Sequence, residues 1–308
     1  MKHFVKQLVA FWGLQALIGA AIFATYDIDR DAYIAAAQDK QARLESLESP
    51  KLILLGGSST AFGFDSKRIQ DALGMPVVNM GIQASLGLNY ILDESVESIR
   101  EGDVVVASLE YPLYYSRGEA ALTMFQLLEQ RPRDAAKFTY DFQTVKTLLD
   151  GGHLYVRHVL RGVVAQFIAA RRDEGGLRRD WHDELGDVVR HRDLPARPFV
   201  PERPGYYEVS SQAIERLTNL AELCRQRGAR LMIFHPAVAR ADDSVDSQAY
   251  QPIYDALERS TDIVQLNEPM EMMYDRNLFF DSSYHVNAEG LQKRTTLLIQ
   301  RLKDSLSK

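Results

Sequence analysis

Two segments more than two hundred residues apart carry side chains that can do chemistry together. The first, Lys51-Leu-Ile-Leu-Leu-Gly-Gly-Ser-Ser-Thr-Ala-Phe-Gly63, is an apolar run entering a Gly/Ser turn. The second, Asn277-Leu-Phe-Phe-Asp-Ser-Ser-Tyr-His-Val-Asn-Ala-Glu-Gly290, places Asp281 four residues before His285. A serine hydroxyl attacks a carbonyl well only when an imidazole takes its proton, and a carboxylate fixes the tautomer of that imidazole. A serine of the turn, Ser58, can be the nucleophile, His285 the base and Asp281 its partner.

Each segment alone has a plainer reading. Gly/Ser turns after strands also cradle phosphate, but no Gly-Lys-Ser/Thr follows, which excludes a Walker-type loop. A single His before a helix is commonly structural. The pairing of the two segments carries the inference.

The elements around them must bring both to one edge. Lys51 to Leu55, Val77-Val-Asn-Met80, Asp103 to Leu109, Arg230 to Phe234 and Ile263 to Leu266 read as strands. Between them, helical periods run over Ser66 to Leu73, Leu88 to Ile99 and Ser211 to Arg227, and Asn287 to Leu306 closes the chain. Strands alternating with helices predict a parallel sheet covered on both faces. Such sheets bind ligands at their carboxyl edge, where Ser58 and the Asp281/His285 loop would meet.

From about 112 to 204 the alternation stops. Helices are expected over Glu119 to Glu129, Arg133 to Leu149 and His153 to Arg172. Arg171 to Arg203 holds eight arginines and eight acidic residues, and reads as a solvated, mobile surface segment or as a lid. His153, His158, His182 and His191 have no metal-ligand spacing and read as solvated, so no metal is expected. His235 and Glu110, at strand ends, are candidates to line the site.

The chain has 308 residues and a net charge of -6, with no basic block, which argues against nucleic acid as a partner. Its one cysteine, Cys224, cannot form an intrachain disulfide. Lys2 and Lys6 precede an uncharged run from Gln7 to Tyr26, long enough for a bilayer core. Asp27, Asp29 and Asp31 follow it, so the charge pattern places the N-terminus in the cytoplasm and the rest outside. Residues 1–26 therefore read as an uncleaved anchor, with a signal peptide ending near Ala21-Ile-Phe-Ala24 as the alternative. Residues 27–50 read as a helical stalk, and 51–308 as the α/β domain with its insertion.

The order strand-Gly-x-Ser, Asn79-Met-Gly81 and Asp…His-hydrophobic-Asn-x-x-Gly resembles the SGNH (GDSL-like) hydrolase superfamily. More narrowly it resembles the membrane-anchored branch that includes the teichoic-acid D-alanylation and alginate O-acetylation proteins. The resemblance covers about Lys51 to Glu110 and Ser211 to Leu306, and leaves out the insertion. It implies a flavodoxin-like three-layer α/β/α sandwich on an N-terminal transmembrane helix. It implies Ser58 as nucleophile, with Ser59 the alternative alignment, His285 as base and Asp281 as its acid. It also implies an oxyanion hole from the Ser58 and Gly81 N–H groups. Three departures stand out: Gly57 replaces the usual Asp before the serine, the oxyanion-binding Asn has no clear counterpart where Leu109-Glu110-Tyr111-Pro112 stands, and the Asp281–His285 spacing is one longer than in typical secreted esterases.

The expected function is an extracytoplasmic serine esterase or O-acyltransferase acting on an envelope carbohydrate. No cofactor is needed, and the resemblance suggests a polytopic membrane O-acyltransferase as partner. The alternative is a catalytically silent, membrane-anchored glycan-binding or scaffold subunit, which the missing Asn favours.

Overall fold

The computed structural model describes residues 2–115, 119–139, 142–167, 176–203, 205, 207–241, 249–260 and 263–307. The chain opens with the apolar helix α1 (Lys2–Thr25) and continues through α2 (Ala36–Ser46). Strand β1 (Leu52–Leu55) leads into a one-turn helix, α3 (Ser58–Ala61), then α4 (Ser66–Leu73), β2 (Val77–Asn79), α5 (Leu88–Val96) and β3 (Val104–Ala107). Helices α6 (Ala121–Gln130), α7 (Ala136–Thr139) and α8 (Phe142–Phe167) come next. The remainder is α9 (Ser211–Gln226), β4 (Arg230–Ile233), β5 (Val238–Ala239), α10 (Gln251–Glu258), β6 (Val264–Gln265), β7 (Met273–Tyr274) and α11 (Ala288–Leu306).

Five strands form one parallel sheet in the order β2-β1-β3-β4-β6. Its strands are apolar at successive positions because both faces are covered. Ile53, Leu55, Val105, Ala107, Leu231 and Ile233 pack with α5, α9 and α10 on one face. The alternate residues Leu52, Leu54, Val104, Val106 and Met232 pack with α4 and α11 on the other. The helix signals operate as expected. Asp65 caps α4 by accepting the Arg68 N–H, and Asn287 caps α11 by accepting the Gly290 N–H. Gly228, after α9, has φ 72°. β5 pairs with β7 in a separate two-stranded sheet, which the sequence reading missed.

A third apolar cluster contains no residue of the sheet strands. It joins Tyr33, Ile34, Ala36 and Ala37 from the start of the chain with Met124 and Leu127 of α6 and with Trp181 and Val188. It also contains Ala61 and Phe62 beside α3, and Phe280 beside Asp281. The supposed stalk is therefore a packed part of the domain: Lys40 donates to the backbone oxygens of Asn79 and Gly186. The charged segment of the insertion also differs from the solvated reading. Residues 177–192 fold against the domain, where Trp181, Leu185, Asp187, Val188 and His191 are buried, whereas 193–198 are exposed as expected. Asp187 is wholly buried and accepts from Ser66 N–H (2.7 Å), Ser66 hydroxyl (2.6 Å) and Asn79 Nδ2 (2.8 Å). Residues 168–175, which hold the end of the helix expected over His153 to Arg172 and the start of that segment, lie outside the described residues.

The break expected near Gly151-Gly152 is absent, and α8 runs through both glycines. Gly151 faces Ala121 of α6 so closely that a Cβ there would overlap the alanine methyl. Tertiary packing overrides the glycine's weak helix propensity.

Candidate active site

The apolar β1 ends in a turn that must pass close to its neighbours. A Cβ on Gly57 would come within 2.5 Å of both the Ala84 nitrogen and Glu110 Oε1. A Cβ on Gly63 would overlap Arg294 Nη1 and the Ser59 oxygen. With glycine at both positions, α3 begins directly at Ser58. Ser58 is partly exposed, whereas Ser59 is fully buried with an unpartnered hydroxyl. An external ester can therefore reach Ser58 but not Ser59.

Two opposite charges grip this turn. Glu110, three residues beyond β3, accepts from Gly57 N–H (3.1 Å) and Ser59 N–H (2.8 Å). On the other side Arg294 of α11, also buried, donates to the Ser59 oxygen and to Ser108 Oγ, both at 2.6 Å. Its guanidinium lies 4.3 Å from the centroid of Phe64, and burial pushes it down to about 10. The Ser59 peptide thus lies between an anion and a cation. Glu110 brackets Ser58, taking the N–H on each side of it. Among the described residues the Ser58 N–H itself meets no acceptor.

His285 and Asp281 are joined directly, Nδ1 to Oδ1 at 2.7 Å. This bond leaves Nε2 as the nitrogen for proton transfer. The Ser282 hydroxyl accepts from His285 N–H, and the Phe280 N–H donates to the His285 oxygen, so the loop closes on itself. The imidazole stacks flat on Phe62, with centroids 4.0 Å apart and planes 6° apart. Phe62 donates its N–H to the Ser58 oxygen, one helical turn from Ser58. His285 is therefore mounted on the residue that closes the one-turn helix begun by Ser58.

Gly81 departs from its expected role. Its N–H is donated to Asn79 Oδ1 at 3.0 Å, so it is not free to meet an oxyanion. Asn79 Nδ2 is in turn held by the Thr60 oxygen and Asp187. His235 lies buried, bonded to Gln265 through Nε2 and to Asn267 through its N–H.

Four contributors went unread in the sequence. Arg294 resembled one more surface charge, yet Leu291, Arg294, Thr295 and Leu298 share the buried stripe of α11, and that position was its signal. Phe62 was visible only as an apolar residue after the turn. Tyr33, which donates to the Ile82 oxygen, and His191, 4.8 Å from Phe62, carried no local signal. Burial pushes the Tyr33 phenol well above its usual range, with the charges of Glu110 and Asp281 adding to the effect.

His182 and His191 are not on solvated faces. Burial pushes His182 down to about 3, and His191 and His235 to about 4. Each has a folded value below its unfolded one of 6.5. Their contribution to stability is complete above the unfolded value and is lost as pH falls through the folded one. Stability should fall on acidification by on the order of 1–2 kcal/mol per histidine by about pH 5. Urea midpoints across this window check the sign. His235→Gln should flatten the decline, and an unchanged decline would contradict the assignment.

No family model matches the chain, and no curated protein matches it. A solved structure from Streptococcus pneumonia, described as a candidate platelet activating factor, is similar at a TM-score of 0.41 and 10% identity, over 99% of both chains.

Proposed function

We propose that this chain is a membrane-anchored serine esterase or O-acyltransferase of the SGNH type, acting outside the cytoplasm on an acylated envelope carbohydrate. The observation that carries this reading is the 2.7 Å His285–Asp281 bond on an imidazole stacked one turn from Ser58. The strand order supports a flavodoxin-like sandwich. The 23-residue apolar stretch of α1, none of it buried, is long enough to cross a membrane and supports the anchor. The acidic residues after it support an external domain.

In this mechanism Ser58 Oγ attacks the ester carbonyl while His285 Nε2 takes its proton. Asp281 holds Nδ1 and stabilises the imidazolium that forms. The Ser58 N–H, at the start of a helix, faces the developing oxyanion. The imidazolium returns the proton to the departing sugar oxygen. Water or a second sugar hydroxyl, deprotonated by His285, then releases the acyl group from Ser58. A polytopic membrane O-acyltransferase would supply or receive the acyl group.

A second reading, the silent anchored binding subunit, is favoured by Glu110. A carboxylate stands where a neutral donor would serve an oxyanion, and the Gly81 N–H is engaged. Each missing donor costs roughly 10²–10³ in rate, so the enzyme would be slow on generic esters. Incubation of the detergent-solubilised chain with an O-acetylated oligosaccharide separates the readings. The enzyme releases acetate, or moves acetyl to an added unacetylated glycan, and Ser58→Ala does neither. Acetyl content that is the same with the intact chain and with Ser58→Ala would support the silent subunit.

A further inference from the structure

α8 carries a face that neither the fold nor the candidate site uses. Phe142, Leu149, Val156, Leu160 and Val164 are 81%, 76%, 46%, 41% and 55% exposed. Their spacing of seven, seven, four and four residues puts them on one stripe, about 33 Å long at helical rise. The rest of α8, from one flank of this stripe round to its far side, is spent on the protein. Gly151, Val159 and Val163 are buried, and Tyr155 stacks on Phe125 of α6 at 4.8 Å. A globular domain in water gains nothing from a line of large apolar side chains held outward.

The same helix is tied to the end of α1. Phe23 lies 6.2 Å from Tyr155 between ring centroids, the Tyr26 hydroxyl bonds His158 Nε2 at 3.0 Å, and the Tyr26 ring lies against Gly162. α8 is therefore within side-chain reach of the point where α1 leaves the apolar layer. It is too charged to cross one, with Lys146, Asp150, Arg157 and Arg161. Arg157 and Arg161 are exposed beside the stripe and have no carboxylate partner among the described residues. An apolar stripe flanked by exposed cations suits an anionic lipid surface.

We propose that α8 lies on the bilayer surface as a second membrane contact. Phe142, Leu149, Val156, Leu160 and Val164 would enter the acyl boundary, and Arg157 and Arg161 would meet anionic headgroups. This rests on the reading of α1 as the membrane span. The two contacts fix how the domain faces the membrane, since α8 packs on α6, whose Met124 and Leu127 share the third cluster with Phe62.

The test uses the full chain in vesicles of phosphatidylcholine and phosphatidylglycerol. Cys224, buried and unpaired, is replaced by alanine. Single spin labels are then placed at Leu149→Cys and Leu160→Cys, with Ile18→Cys on α1 and Lys303→Cys on α11 as references. Collision with oxygen reports lipid, and collision with a water-soluble nickel chelate reports water. The 149 and 160 labels should show a severalfold higher oxygen-to-nickel ratio than the 303 label, approaching that at 18. Labels at 149 and 160 that read as water while 18 reads as lipid overturn the α8 contact alone. Labels shielded from both reagents mean a protein partner, such as a second copy, and also overturn it. A water reading at 18 overturns the anchor and this proposal together, without touching the serine site.

Discussion

His285→Ala should slow acylation of Ser58 by about 10²–10⁴-fold, the usual worth of a positioned general base. The fold should survive, because the imidazole rests on Phe62 at the edge of the third cluster and makes one side-chain bond, to Asp281. Asp281→Asn should cost less, since it disturbs tautomer and orientation and leaves Nε2 in place. The double variant should be little worse than His285→Ala, because the residues act as a unit. Stopped-flow acylation by p-nitrophenyl acetate measures all three. Rates unchanged by His285→Ala would remove the base from the mechanism.

Glu110→Ala should be among the most destabilising single changes in the domain. It strands the Gly57 and Ser59 N–H groups in a buried site and leaves Arg294 without its nearby counter-charge. Breaking such a buried arrangement from one side costs about 3–5 kcal/mol. Glu110→Gln retains one acceptor and should lose about 1–3 kcal/mol, the penalty of one unsatisfied group. Denaturant midpoints give the order parent, Gln, Ala. An alanine variant as stable as the parent would show that the turn holds itself.

Much of the sheet was legible because its physics is local. Leu52–Leu55 and Val104–Ala107 are continuous apolar runs, as a strand buried on both faces requires. Asp65, Asn287 and Gly228 mark helix ends through bonds or angles made within a few residues. The contact between Asp281 and His285 was legible because the two lie four residues apart in one loop that feeds a helix. What could not be read depends on distant partners. The charge balance of 171–203 fits a solvated loop equally well, and the tertiary contacts of Asp187 with Ser66 and Asn79 and of Trp181 and Val188 with the third cluster are what hold residues 177–192 inward. Tyr33 and α2 read as a stalk because alanine-rich helices look alike whether free or packed. Glu110 was legible as a candidate to line the site, but its grip on Gly57 and Ser59 is tertiary, as is the diversion of the Gly81 N–H to Asn79.

The central claim is that Ser58 is a nucleophile activated by His285. Covalent labelling tests it without requiring fast turnover, which Glu110 is expected to limit. The intact, folded chain is treated with a fluorophosphonate probe, digested, and mapped by mass spectrometry. The account predicts one modified serine, Ser58, with labelling lost in Ser58→Ala and strongly reduced in His285→Ala. Folded protein that takes up no probe at Ser58, or labels equally in Ser58→Ala, would contradict it and leave the silent binding subunit as the better description.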